Sequence, residues 1–124
     1  MSKSKSLIEI FLQFPSQIKL YHWQTRSYPR HKASDDLFSG IQSLIDQFVE
    51  TYQGKYQRIF LRNEGKIPVY DLTDNDIIKY IGEFKSFLQN DIFQVISEND
   101  TDLVNIRDEM LSLLNQTLYL FTLN

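Results

Sequence analysis

The stretch HKASDDLFSGIQSLIDQFVE, residues 31–50, decides the fold class of this 124-residue chain. Apolar residues recur in and just after it at steps of three or four positions: Leu37, Ile41, Leu44, Phe48 and Tyr52. That spacing places their side chains on one face of an amphipathic helix. We therefore predict a long second helix from about Arg30 to Arg62, with this face buried.

A first helix is predicted from about Lys5 to Thr25. Its apolar stripe has the same spacing and comprises Leu7, Phe11, Phe14, Ile18 and Tyr21. Because the stripe continues through Pro15, we expect one kinked helix rather than two. The break at Ser27-Tyr28-Pro29 is short, so the first two helices should form an antiparallel hairpin.

Two more helices are predicted in the second half of the chain. Thr73, followed by Asp74 and Asp76, is a favourable N-cap for a third helix that fades near Ser97. A fourth follows the break at 99–101. Their stripes are Ile77, Ile81, Phe84 and Leu88, then Leu103, Ile106, Met110, Leu113 and Thr117.

The linker from Asn63 to Leu72 contains Gly65 and Pro68. At roughly 3.3 Å per extended residue it is long enough to return along the bundle. The second and third helices would then be parallel, as in ferritin-like folds. We predict one all-α domain over residues 1–124, a ferritin-like four-helix bundle with a crossover between the second and third helices.

Composition excludes several classes of function. The net charge of −3 does not favour nucleic-acid binding, and the N-terminal Lys3 and Lys5 are too few for a basic tail. The absence of Cys excludes disulfides and thiolate metal sites. No apolar run predicts a membrane span and no signal peptide is recognised, so we expect a cytoplasmic protein.

Five potential metal ligands surround the first hairpin and follow the second helix: His22, His31, Asp35, Asp46 and Glu50. At 100° per residue, the last four lie within about a quarter of the helix circumference, away from the apolar stripe. One chain cannot bring them to one ion, because His31 and Glu50 are about 28 Å apart along a helix. The alternative for each residue is a solvated acid or a hydrogen-bonded core histidine.

The second-helix ligands are symmetric in sequence. The His31/Glu50 and Asp35/Asp46 pairs share a midpoint between residues 40 and 41. Two antiparallel copies of the helix, crossing there with Gly40 allowing close approach, would form two equivalent sites in a homodimer. Two imidazoles and three carboxylates favour iron, with zinc or manganese as alternatives.

These residues resemble the miniferritins, the DNA-binding proteins from starved cells. Tyr21-His22-Trp23 is similar to the family's signature at the end of its first helix, and the second-helix residues match its spacing. The resemblance implies that His22, His31 and Asp35 bind metal in one subunit, and that Asp46 and Glu50 come from its two-fold mate. It also implies iron(II) oxidation, usually by peroxide, in a dodecameric cage.

The resemblance covers about Lys19 to Gly54, and the chain departs from the family in several respects. The gap between His22 and His31 is three residues shorter than usual, the chain is short, and Thr51 replaces an Arg. For Trp23 the resemblance suggests radical quenching, but we favour an ordinary packing aromatic. The stretch from Tyr21 to Tyr56 also resembles uncharacterised proteins of large DNA viruses and tailed phages.

Two functions follow from these observations. The first is miniferritin-like iron binding with ferroxidase activity, in the cytoplasm of a host cell or in a virion. The alternative is a non-enzymatic ferritin-like structural or interaction module with a vestigial or structural metal. Nucleic-acid binding is a weaker third interpretation.

Overall fold

The predicted apolar stripes lie on four α-helices in the computed structural model, which describes residues 3–123. The helices are α1 (Lys3–Gln24), α2 (Tyr28–Lys55), α3 (Asp74–Gln89) and α4 (Thr101–Leu120), with a short 3-10 helix at Asp91–Gln94. No strand occurs in the described part of the chain. The all-α prediction is confirmed. The side chains of Lys3 and Lys5 lie outside the described residues.

The core forms where the stripes of all four helices meet. Every predicted stripe residue of α1 is buried, and α1 is continuous through Pro15. The Phe14 ring stacks on Phe84 of α3 with centroids 3.9 Å apart, and the Phe11 ring meets Phe48 of α2 edge-on at 5.4 Å. Helix α2 packs against both α1 and α4. Each helix therefore buries the face that its spacing indicates.

Two stripe positions differ from the prediction by one residue. Ile45 is buried on α2 and Leu114 on α4, whereas Leu44 and Leu113 are only partly buried. Leu113 still contacts α2, since a Cβ placed on Gly40 would lie 2.8 Å from Cδ2 of Leu113. The buried faces are thus rotated slightly from the positions expected for regular steps.

Helix α2 ends at Lys55, so the prediction that it continues to Arg62 was wrong. The side chain of Gln53 accepts a hydrogen bond from the backbone N–H of Ile59 at 3.1 Å, which gives that amide a partner outside the helix. Arg62 itself has φ 71°, in the left-handed region. Residues 56–73 therefore form a longer linker than predicted.

The third helix also ends earlier than predicted. The Thr73 cap is present as a full capping box with Asp76, which confirms the predicted start. Near the other end, the side-chain amide of Asn90 donates to the Ser86 carbonyl at 3.1 Å. This competes with regular helix continuation, and the chain up to Ser97 contains the 3-10 helix instead.

The linker lies against a row of polar side chains on α1. Glu9, Gln13 and Gln17 recur every four residues, which places them on one helix face. Glu9 Oε2 accepts from the Lys66 N–H at 3.0 Å, and Gln13 Nε2 donates to the Pro68 carbonyl at 2.8 Å.

Gln17, which is fully buried, completes this row. Its side-chain amide bonds both the N–H and the carbonyl of Tyr70, each at 2.8 Å. The row therefore satisfies linker backbone groups that have no sheet or helix partner.

In the described chain, no helix has the length and apolar character needed to cross a membrane.

Candidate metal centre

The turn between α1 and α2 brings the two histidines together. Only residues 25–27 separate the helices, with His22 in the last turn of α1 and His31 in the first turn of α2. Ser27 is the N-cap of α2, and its hydroxyl accepts from the Arg30 N–H at 3.3 Å. The rings of His22 and His31 stack with centroids 3.9 Å apart and an angle of 18° between planes.

Each imidazole is hydrogen-bonded to the other residue's backbone. His22 Nδ1 lies 2.7 Å from the His31 carbonyl oxygen, and His31 Nδ1 lies 2.9 Å from that of His22. A carbonyl only accepts, so both Nδ1 atoms must carry the proton. In the neutral rings, both Nε2 atoms are left with a lone pair. Metal-binding histidines in proteins are usually oriented by such a bond from the other ring nitrogen.

The Ser34 side chain contacts both histidine residues. Its buried hydroxyl donates to the His31 carbonyl at 3.1 Å and lies 3.3 Å from Nδ1 of His22. Ser34 was not among the residues predicted for this site. The signal was its position one turn after His31 on the same helix.

Asp35 lies near the His22 ring. Its Oδ1 is 3.9 Å from Nε2 of His22, beyond hydrogen-bonding distance. Metal ions bind such atoms at roughly 2.0–2.2 Å, so a single ion can bridge atoms up to roughly 4.2 Å apart. The donor chemistry and spacing of His22 and Asp35 therefore fit a divalent metal.

The site opens to solvent on one side. His22 is buried, whereas His31 is exposed and the Asp35 side chain is 53% exposed. An open pocket at this point is lined by His22, Tyr28, His31, Lys32, Asp35 and Asp36. Trp23 is 69% exposed, so it is not packed within the protomer and our interpretation of it as a packing aromatic was wrong.

A second hydrogen-bonded group joins this hairpin to α3. The Tyr21 hydroxyl donates to Asp74 Oδ1 at 2.6 Å, and Arg30 Nη1 donates to that hydroxyl at 3.1 Å and to the Asp74 carbonyl at 2.7 Å. Burial, followed by the bond to Asp74, raises the pKa of Tyr21. Tyr21 therefore stays neutral and holds the turn that carries His22.

Asp46 and Glu50 lie away from this site within one chain. Both are exposed on α2, and Asp46 is eleven residues, or about 16 Å, along the helix from Asp35. Over residues 3–123 of a single chain, no three His, Asp or Glu side chains form a group that could hold a metal ion. One protomer thus assembles His22, His31 and Asp35 only as neighbours, without Asp46 or Glu50.

Gly40 does not face the same direction as the acids. Its missing side chain makes room for Leu113 of α4 inside the protomer. The prediction that Gly40 allows two copies of α2 to approach was therefore wrong. On a helical wheel Gly40 lies about 130° from the centre of the ligand face, which explains the difference.

This chain is similar to proteins that have no stated function. A family of unknown function, DUF5856, matches residues 22–121. An uncharacterized 14.6 kDa protein from the mobD-ri intergenic region of Enterobacteria phage T4 is 34% identical over 80 residues. The match covers 64% of this chain and 60% of that relative, so the chain spans less than two thirds of the relative's length. No solved structure matches the chain.

Proposed function

We propose that this chain, which belongs to the family of unknown function DUF5856, binds iron(II) and oxidises it at a site shared by two copies of the protein. His22, His31 and Asp35 of one copy would bind the metal together with Asp46 and Glu50 of the other. Zinc or manganese are alternative ions for the same donors.

The reciprocal histidine arrangement is the observation that carries this proposal. Two adjacent imidazoles have their Nδ1 atoms bound to backbone carbonyls, 2.7 and 2.9 Å away. These bonds leave both Nε2 lone pairs available, and a histidine that binds metal usually donates its other ring N–H to such a carbonyl. Asp35, at 3.9 Å from one of these nitrogens, supplies the nearest carboxylate.

The incomplete ligand set of one protomer is the reason for involving a second. Two imidazoles and one carboxylate would leave positions on an iron(II) ion open, and over residues 3–123 of one chain these side chains do not form a group that could hold a metal ion. Asp46 and Glu50 are exposed on the same face of α2 as Asp35. An open groove beside Asp46 is lined by Phe38 and by Leu12, which is 54% exposed, so the face also offers apolar surface to a partner.

The proposed reaction takes iron as its substrate. Two iron(II) ions reduce one hydrogen peroxide with two protons, giving two iron(III) ions and two waters. The chain's own residues would bind and orient the metal through nitrogen and carboxylate oxygen donors. Carboxylates stabilise the iron(III) product because it carries the higher charge.

A ferritin-like helix order is part of the proposal. The bonds from Glu9, Gln13 and Gln17 to linker residues 66–70 support it, because residue numbers rise in the same direction on both segments. A linker parallel to α1 would start α3 beside the end of α1. Helices α2 and α3 would then be parallel, as the crossover requires.

Complementation between two inactive variants tests the shared site. Asp35→Ala and Asp46→Ala each remove a ligand from both sites of a homodimer. A mixed dimer keeps one intact site, because its two defects fall together on the other. After subunit exchange, an equimolar mixture should recover about a quarter of wild-type iron oxidation per protomer, since about half the dimers are mixed. Stopped-flow absorbance of iron(III) measures the rate.

Glu109→Ala is the matched control, because Glu109 is an exposed acid on α4, away from the hairpin. It should oxidise iron at the wild-type rate. Light scattering during the same experiment distinguishes a dimer from a dodecamer. Normal oxidation by either single variant would disprove the shared site. Two inactive variants that exchange subunits without any recovery of oxidation would disprove it as well.

A non-enzymatic interaction module is the second candidate. The exposed Trp23 and Tyr28, each 69% accessible beside the histidines, favour it because large exposed aromatics are common in protein interfaces. The phage T4 relative supports a virus-encoded protein acting in the host cytoplasm or the virion. This candidate predicts bound metal without turnover, so repeated cycles of iron oxidation would exclude it.

A further inference from the structure

Lys19 contacts the carboxylate that the proposed function assigns to metal binding. Its Nζ lies 3.7 Å from Oδ1 of Asp35, the same oxygen that lies 3.9 Å from Nε2 of His22. Lys19 precedes His22 by three residues on α1, so both side chains project from one helix face. The ammonium and the imidazole therefore converge on one oxygen.

The Lys19 side chain is held on a second side as well. Its Nζ lies 4.6 Å from the centroid of the Phe38 ring, within the range of a cation–π interaction. Its side chain is 34% exposed, whereas that of Asp35 is 53% exposed. These two attractive contacts, the ion pair and the cation–π interaction, restrict the position of the ammonium more than a single surface ion pair would.

A metal on Asp35 would lie close to this ammonium. An ion bound at roughly 2.1 Å from Oδ1 would lie beside the Lys19 ammonium, because the ammonium is paired with the same oxygen. A divalent ion and an ammonium repel each other, and the repulsion is larger where partial burial reduces screening by water. The two cations therefore compete for one carboxylate.

We propose that the Lys19 ammonium occupies the cation position at Asp35 in the metal-free protein, and that a divalent metal has to displace it. The inference rests on the proposed metal site and adds a determinant of its affinity. Lys19 thereby lowers the affinity of the site for the metal, so that the site fills only at higher free metal concentrations. Displacement is feasible because four rotatable bonds let the ammonium swing into solvent.

Removing the ammonium while keeping the length of the side chain tests whether Lys19 competes with the metal for Asp35. Lys19→Met should bind cobalt(II), a spectroscopic substitute for iron(II), roughly tenfold more tightly than wild type. Lys19→Arg keeps the positive charge and should restore weak binding. Lys32→Met is the matched control, because Lys32 lines the same pocket and forms no ion pair with Asp35 in the described contacts. Its effect on affinity should be under about threefold.

Isothermal titration gives the affinities, and the visible cobalt(II) spectrum shows whether the coordination stays the same. Combining Lys19→Met with Asp35→Ala should abolish the gain, because the ammonium acts through that carboxylate. Unchanged or weaker cobalt binding by Lys19→Met, with wild-type binding that depends on Asp35, would overturn the inference and leave the metal site standing. No cobalt binding by any variant would overturn both.

Discussion

The two ends of α2 carry polar clusters of opposite character. At its C-terminal end, Asp100 is buried and its carboxylate accepts from Lys55 at 2.7 Å, from the Ser97 N–H at 2.8 Å and from the Tyr56 hydroxyl. At its N-terminal end, the His22–His31 pair satisfies its Nδ1 atoms but leaves both Nε2 atoms available. We call these the closed cluster and the open cluster.

This difference shows how to separate stabilising groups from binding groups. In the closed cluster every partner is internal, and Lys55 and Tyr56 hold the pKa of Asp100 down to about 2. Its charge is therefore used to join α2 to the loop before α4. In the open cluster, buried His22 and exposed His31 hold oriented Nε2 atoms that have no hydrogen-bond partner among the described contacts, and such preorganisation is expected where a ligand binds.

The largest expected effect concerns metal-dependent stability. A saturating metal at 100 times its dissociation constant should raise the melting temperature of wild type by roughly 10 °C, because it binds only the folded chain. His31→Ala should lose this increment, and Asp100→Asn should keep it. Differential scanning fluorimetry with zinc measures both. An increment lost in Asp100→Asn but kept in His31→Ala would reverse the assignment of the two clusters.

A smaller effect is expected from acid. The folded-state pKa of Asp100 is lowered from 3.8 to about 2, so the folded state binds fewer protons than the unfolded state in that interval. Its contribution is fully present above about pH 4 and is lost as the pH falls toward about 2. Urea denaturation between these values should show a steep loss of stability for wild type.

Asp100→Asn is the control for this pH dependence, because it cannot ionise. The variant should be less stable than wild type at pH 7, and the difference should narrow toward pH 2. Parallel curves for the two proteins across the whole interval would show that the closed cluster does not depend on the charge of Asp100.

The smallest effect is expected at Gly40, which lies between the two clusters. A Cβ there meets the end of the Leu113 side chain at 2.8 Å, and this flexible end can move. The gain in helix propensity, about 1 kcal/mol, should largely offset the repacking cost in Gly40→Ala. Thermal denaturation and light scattering should show near-normal stability and an unchanged oligomer. If the substitution disrupts the oligomer, Gly40 does lie at a contact between copies of the chain.

The hairpin and the helix starts were predictable because their signals are local. The spacing of the α1 stripe, the short break before Pro29 and the Thr73 cap each depend on neighbours within a few residues. The pairing of His22 with His31 also followed from the shortness of that break. The reciprocal bonds between their rings and carbonyls did not, because they depend on how two helix ends are oriented.

The end of α2 and the role of Gly40 were not predictable, because distant residues decide them. Tyr56 bonds to Asp100, forty-four positions later, and this contact accompanies the end of the helix at Lys55. Leu113 reaches Gly40 from another helix. The Lys19 contact with Asp35 likewise depends on the packing of α1 on α2.

The sequence by itself determined an all-helical chain, its buried faces and a set of histidines and acids in a symmetric pattern. Periodicity and capping suffice for these, since both act within one or two helical turns. Only the tertiary structure decided which ring nitrogens are available, which cation pairs with Asp35 and where the long linker lies. Those outcomes depend on directions and distances between helices, which a one-dimensional pattern does not contain.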